Sequence, residues 1–110
     1  MNFKNKIFFD NNASLEYLKN KKIGIIGYGN QGRAQALNLN DSGADVVIGL
    51  RENSKSISIV EKDRLKYVGI EDLIATRDII CILIPDNQIP QLLKKTIKLF
   101  SKNQTILFSH

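Results

Sequence analysis

The sequence predicts an α/β protein built on a doubly wound, mostly parallel sheet with strand order 3-2-1-4-5. Three observations predict it. Short apolar runs rich in β-branched residues alternate with helical stretches along most of the chain. The first clear run ends in Gly27-Tyr28-Gly29-Asn30-Gln31-Gly32, a G-x-G-x-x-G turn that opens a helix. The run from Asp78 to Ile84 is apolar after its first residue, as expected of a strand covered on both faces. Together these give a Rossmann-like order of β-α-β-α-β-α-β-α-β, with right-handed crossovers.

Each element follows from its local pattern. A short helix capped by Ser14 is expected over Leu15–Asn20. Lys22–Gly27 reads as a buried strand ended by glycines. Gln31–Asp41 reads as a helix with Ala34 and Leu37, and with them Ala36 and Leu39, on one face. Ser42-Gly43 stops it, and Gly43 suits the left-handed position after a helix. Asp45–Gly49 is the second strand, and Ser56–Lys62 a short helix capped by Ser54 or Ser56. Leu65–Val68 reads as an edge-like third strand, and Glu71–Thr76 as one or two helical turns. Asp78–Ile84 is the fourth strand, closed by Pro85. Gln88–Phe100 is a helix with Leu92, Leu93, Thr96 and Leu99 inward, and Gln104–Ser109 is the last strand.

Size and composition bound the function. At 110 residues the chain makes one domain at most, with enough apolar residues, 43%, for a real core. It is too short for a nucleotide domain plus a full substrate domain. Sixteen Lys and Arg against eleven Asp and Glu leave a net charge of +5. The lysines are scattered, with only the pairs Lys21-Lys22 and Lys94-Lys95, so no basic run resembles a nucleic-acid tail. Lys, Asn and Ile exceed a third of the chain, the bias of an AT-rich genome. Cys81 is the only cysteine and lies inside the fourth strand, which excludes an intrachain disulfide and suggests a buried thiol. No apolar run is long enough to span a membrane, and Met1–Phe9 lacks the core of a signal peptide. A reducing, cytoplasmic setting is expected, with neither nucleic acid nor membrane as partner.

The chemistry concentrates at the carboxyl ends of the strands, where such sheets bind ligands. Gly27 permits the tight turn, Gly29 lets the backbone approach a pyrophosphate, and Gly32 allows close helix packing. The first amides of the helix and the positive end of its dipole then face the phosphates. At the end of the second strand, an acid selects NAD by binding the ribose 2′-hydroxyl. Here Arg51-Glu-Asn-Ser-Lys-Ser56 offers a guanidinium, an ammonium and two hydroxyls, which suit a 2′-phosphate. Glu52 argues the other way, because turned inward it would repel that phosphate; the balance favours NADP. Pro85-Asp86-Asn87-Gln88 follows the fourth strand, where Asp86 or Asn87 caps the next helix or borders the nicotinamide-side ribose. His110, the only histidine, follows the fifth strand.

These residues resemble a known family. Ile25-Ile-Gly-Tyr-Gly-Asn-Gln-Gly32, Ala36-Leu-Asn-Leu39, Asp41-Ser-Gly43, Val47-Ile-Gly-Leu-Arg51, Leu83-Ile-Pro-Asp86 and Phe108-Ser-His110 stand in the order and spacing of ketol-acid reductoisomerases, also called acetohydroxyacid isomeroreductases, of the short-form type. The resemblance runs from about Ile7-Phe-Phe-Asp10 onward. It implies an oxidoreductase of valine, leucine and isoleucine biosynthesis. Such enzymes carry 2-acetolactate or 2-aceto-2-hydroxybutyrate through a Mg²⁺-dependent alkyl migration and an NADPH-dependent reduction to 2,3-dihydroxy acids. Carried onto this chain, Gly27, Tyr28, Gly29, Asn30, Gln31 and Gly32 hold the pyrophosphate, Arg51, Ser54 and Ser56 hold the 2′-phosphate, Asp86 lies by the ribose, and His110 is catalytic. Asn30 stands where the family usually has Ser, and Arg33-Ala-Gln-Ala-Leu37 where it has His-Ala-His-Ala-Leu. Asn30 still offers hydrogen bonds, and Arg33 adds charge near the phosphates.

The resemblance also implies what these residues lack. Family members are homo-oligomers that continue into a helical, knotted domain carrying the acidic Mg²⁺ ligands. Residues 1–110 correspond to an incomplete N-terminal dinucleotide-binding domain, so the expected metal set is none and the chain alone is expected to be inactive. The alternative is a stand-alone dinucleotide-binding regulatory module without catalysis.

Overall fold

A computed structural model describes residues 20–108. The expected helix over Leu15–Asn20 falls almost wholly outside the described residues, as does His110. The strands are β1 Lys22–Ile26, β2 Asp45–Leu50, β3 Lys66–Gly69, β4 Ile79–Ile82 and β5 Thr105–Phe108. The helices are α1 Asn30–Asp41, α2 Ile57–Lys62, α3 Ile70–Thr76 and α4 Ile89–Thr96. All four strand pairings are parallel and the order is β3-β2-β1-β4-β5, as the sequence predicts.

Strand alternation sorts the core into two layers. Ile23 and Ile25 of β1, Val46 and Ile48 of β2, and Ile79 and Cys81 of β4 pack beneath Ala36 and Leu39 of α1 and Val60 of α2. The intervening residues Ile26, Val47, Ile80 and Ile82 pack beneath Leu73 and Ile74 of α3 and the Leu92–Leu93 face of α4. Helices on both faces explain why β1, β2 and β4 are apolar almost throughout. The Cys81 thiol sits in the first layer, where burial pushes its pKa up to about 12 and keeps it an inert thiol.

Local expectations hold at most boundaries, and the exceptions have reasons. Gly43 takes φ 85°, and the Gly43 and Ala44 amides donate to Asn40 and Leu39 carbonyls, closing α1 with the expected left-handed residue. Ala34 is exposed, however, because the sheet side of α1 is the row Gly32, Ala36 and Leu39. Ser56 occupies the N-cap of α2 without a side-chain cap bond, while the Ser54 hydroxyl accepts the Ser56 amide at 3.2 Å. The predicted 88–100 helix divides: a 3₁₀ turn at Asp86–Gln88 leads into α4, and a second at Ile97–Leu99 ends it. The tighter winding of that last turn swings Leu99 outward to 39% exposure. Thr96 stays inward, its hydroxyl bonded to the Leu92 carbonyl at 2.7 Å.

Candidate dinucleotide site

A cleft of about 910 Å³ opens over the carboxyl ends of the strands. Its floor is Ile26-Gly27-Tyr28 after β1 and Gly49-Leu50 of β2. Arg51, Glu52, Ser54 and Ser56 form one wall, and Gly69 to Asp72, where β3 passes into α3, form the next. The opposite wall is Gln88 and the α4 face carrying Gln91, Leu92, Lys95 and Thr96. Five of the expected cofactor-binding residues therefore meet in one cleft: Gly27, Tyr28, Arg51, Ser54 and Ser56. Gly29, Asn30, Gln31 and Gly32 stand beside it at the start of α1, and Asp86 lies in the 3₁₀ turn beyond β4.

The glycine loop has a distinct reason for each glycine. Gly27 holds φ 105°, and a Cβ there would lie 2.8 Å from the Leu83 carbonyl oxygen. A Cβ on Gly32 would collide with the carbonyl oxygen of Gly27. Gly29 is different: a Cβ would meet no atom of the described residues within 4 Å, and its φ of −75° suits any residue. No described residue demands a glycine there, so the open space fits an approaching ligand. Gly29 is also the N-cap of α1, with no side-chain cap and no acidic residue in the first turn. The helix start thus remains available to an anion. By these tests the residues fit a dinucleotide.

The loop after β2 is built to present polar groups. Asn53 sits at φ 62°, and the Ser54 amide donates to the Arg51 carbonyl at 3.0 Å, folding the loop back over the cleft. Arg51 and Glu52 are exposed at the rim, Ser54 and Ser56 half-buried. Glu71 and Asp72, in the first turn of α3, favour that helix terminus and place negative charge on the adjoining wall. Lys95 brings positive charge from α4.

Tyr28 and Arg33 depart from a simple phosphate loop. The Tyr28 side chain is only 6% exposed and points into the first core layer. Its phenol donates to Asp63 Oδ2 at 2.5 Å. Burial, then the Asp63 carboxylate, pushes its pKa up to about 12. Arg33, expected near the phosphates, instead donates to Asp63 from Nε at 2.8 Å and from Nη2 at 3.1 Å. Those two hydrogen bonds, with the phenol's, hold the Asp63 carboxyl down to about 2.

Sequence reasoning missed the α4 wall and Asp63. Gln88, Gln91, Leu92, Lys95 and Thr96 follow the i, i+3, i+4, i+7, i+8 spacing of one helical face, a signal readable as an amphipathic stripe. Asp63 carries no motif. Among the described residues, no three His, Cys, Asp or Glu side chains stand together as metal ligands, and no helix is long and apolar enough to cross a membrane.

Comparison with known proteins agrees with this geometry. The family model described as acetohydroxy acid isomeroreductase, NADPH-binding domain, matches residues 17–110. A ketol-acid reductoisomerase (NADP(+)) of Methanocaldococcus jannaschii is 47% identical over 106 residues, covering 96% of this chain and 32% of that protein. Its counterpart from Pyrobaculum islandicum is 44% identical with the same coverage. The solved structure of an NADH-preferring ketol-acid reductoisomerase from an uncultured archean superposes with a TM-score of 0.81 at 32% identity, over 87% of this chain and 31% of that one. The chain spans about a third of the length of these relatives. With its glycine loop, its sheet order and nearly all of its length matched, the chain belongs to the acetohydroxy acid isomeroreductase NADPH-binding domain family.

Proposed function

We propose that this chain binds NADPH across the cleft as the nucleotide-binding part of a ketol-acid reductoisomerase. The observation that carries the reading is Gly29: a helix start with no side-chain cap beside space that no described residue fills. The pyrophosphate lies against the amides of Gly27 to Gly32. Arg51 meets the 2′-phosphate as a planar cation, and Ser54 and Ser56 donate hydroxyl hydrogen bonds to it. Glu52, Glu71 and Asp72 repel that phosphate from the rest of the rim and so fix where it sits. Asp86 borders the nicotinamide-side ribose, and His110 stands by the nicotinamide and substrate.

NADPH supplies a hydride to a carbonyl carbon when bound. In the whole enzyme the substrate is 2-acetolactate or 2-aceto-2-hydroxybutyrate, and the products are 2,3-dihydroxy acids of branched-chain amino-acid biosynthesis in the cytoplasm. The alkyl migration before reduction needs Mg²⁺ held by converging carboxylates, which this reading assigns to a helical, knotted domain beyond residues 1–110. The 110 residues alone then bind cofactor without turning over substrate.

Titrating the chain with NADPH and NADH, followed by cofactor fluorescence, tests the reading. Saturable binding with NADPH preferred is the expected result. Absence of binding of either at millimolar concentration would overturn it, and equal affinity for both would remove the role given to Arg51, Ser54 and Ser56.

A further inference from the structure

Asp63 closes α2, outside the cleft, yet its one carboxylate joins two parts of the glycine loop and its helix. The Tyr28 phenol, from between Gly27 and Gly29, reaches it at 2.5 Å. The Arg33 guanidinium, from the start of α1, reaches it through two hydrogen bonds at 2.8 and 3.1 Å. The Asp63 side chain is 12% exposed against 51% for Arg33, so the contact with the Tyr28 phenol is the one shielded from water. A carboxylate at the C-terminal end of a helix is locally unfavourable, because it faces the negative pole. The local structure of α2 therefore gives no reason for Asp63; the tertiary contacts do.

We propose that Asp63 is a positioning residue for the dinucleotide site, clamping Tyr28 and Arg33 so that the glycine loop is set before ligand arrives. The inference rests on the reading that the cleft binds NADPH. Two effects follow from the clamp. Anchoring Tyr28 from below fixes the backbone between Gly27 and Gly29, so binding need not order it. Engaging Arg33 directs its guanidinium to Asp63, leaving the phosphates to the backbone amides and to Arg51.

A double-mutant cycle on NADPH affinity tests this, using D63N, Y28F and the pair in the 110-residue chain, with D63E as the conservative variant. Each single change is expected to weaken binding by about three- to tenfold, the range for ordering one side chain. The pair should be no weaker than the weaker single variant, because both remove one linkage. D63E, which keeps the carboxylate, should recover part of the affinity. Full NADPH affinity in D63N with only a lower melting temperature would overturn the proposal, as would additive losses in the pair. Absorbance titration of the phenols gives a reading that needs no ligand: in D63N the most alkaline tyrosine transition should move toward the ordinary value. If the wild-type chain binds no NADPH, the cofactor reading fails and the positioning role with it. An unmoved phenol transition beside intact NADPH binding overturns the clamp alone.

Discussion

Gly32 lies so close to Gly27 that a Cβ on Gly32 would overlap the Gly27 carbonyl oxygen. The first turn of α1 and the loop after β1 are thus pressed together, backbone on backbone. Gly29, between them, has open space around the position of its missing Cβ. The pair G32A and G29A therefore separates folding from binding. G32A should cost about 1–3 kcal/mol, since relieving the clash requires backbone rather than a flexible side chain to shift. G29A should stay within about 0.5 kcal/mol of wild type in urea unfolding. The same G29A should weaken NADPH by tenfold or more, on the order of 1.4 kcal/mol, because its methyl would occupy the ligand's space.

Cofactor choice should follow the loop after β2. R51E should reduce the NADPH-to-NADH affinity ratio by at least tenfold, because it replaces a charge-assisted contact worth about 1.5–3 kcal/mol with a repulsion. S56D should act in the same direction through its added charge. E52Q should raise the ratio, by removing a carboxylate from the cleft wall. Parallel titrations with the two cofactors measure all three variants, and an R51E chain that still prefers NADPH would contradict the assignment.

Alkaline stability should depend on Tyr28. Its phenol is raised from 10.0 to about 12 in the folded chain. A raised folded value means the folded state holds the proton more tightly, so this stabilisation is complete below the unfolded value and is lost as pH rises through the folded one. Melting temperature should fall between about pH 10 and 12, and Y28F should lessen that fall. Cys81, pushed up to about 12, keeps a part of it in the variant.

Asp63 has the opposite sign. Its carboxyl is lowered from 3.8 to about 2, so its contribution is present above the unfolded value and lost as pH falls through the folded one. Urea unfolding monitored by circular dichroism should show D63N less stable than wild type above about pH 4, with the difference shrinking as pH falls toward about 2.

Leu73 fills the space left by two strand glycines. A Cβ on Gly24 would lie 2.7 Å from Leu73 Cδ2, and one on Gly49 3.2 Å from it. L73A should cost about 2–5 kcal/mol by opening a cavity over β1 and β2. G24A should also destabilise, and the double variant G24A/L73A should be less damaged than the sum of the two, because each relieves the other's packing fault.

The alternation of apolar runs with helical stretches carries the strand order, since right-handed crossovers leave little freedom once the elements are known. The glycine spacing likewise carries the loop, because Gly27 and Gly32 meet conditions that only a glycine satisfies. Both signals are local and repeat along the chain, so they survive without coordinates. Ala34 and Leu99 show the limit of such reading: apolar identity placed them inward, while the helix phase and a final 3₁₀ turn placed them outward.

What the sequence alone determined is the sheet, its winding and the cluster of phosphate-suited residues after β1 and β2. What only tertiary structure decided is how those residues are used. Asp63 is 30 residues from Arg33 and 35 from Tyr28, and no local rule links them. Packing of α2 beside α1 brings the three together, turns Tyr28 into the core and takes Arg33 to a carboxylate. The same holds for the α4 wall, where Gln91 and Lys95 face a cleft that exists only once β1, β2 and β3 share one sheet. Short-range periodicity specifies which face of an element is apolar; long-range packing alone specifies which polar groups meet.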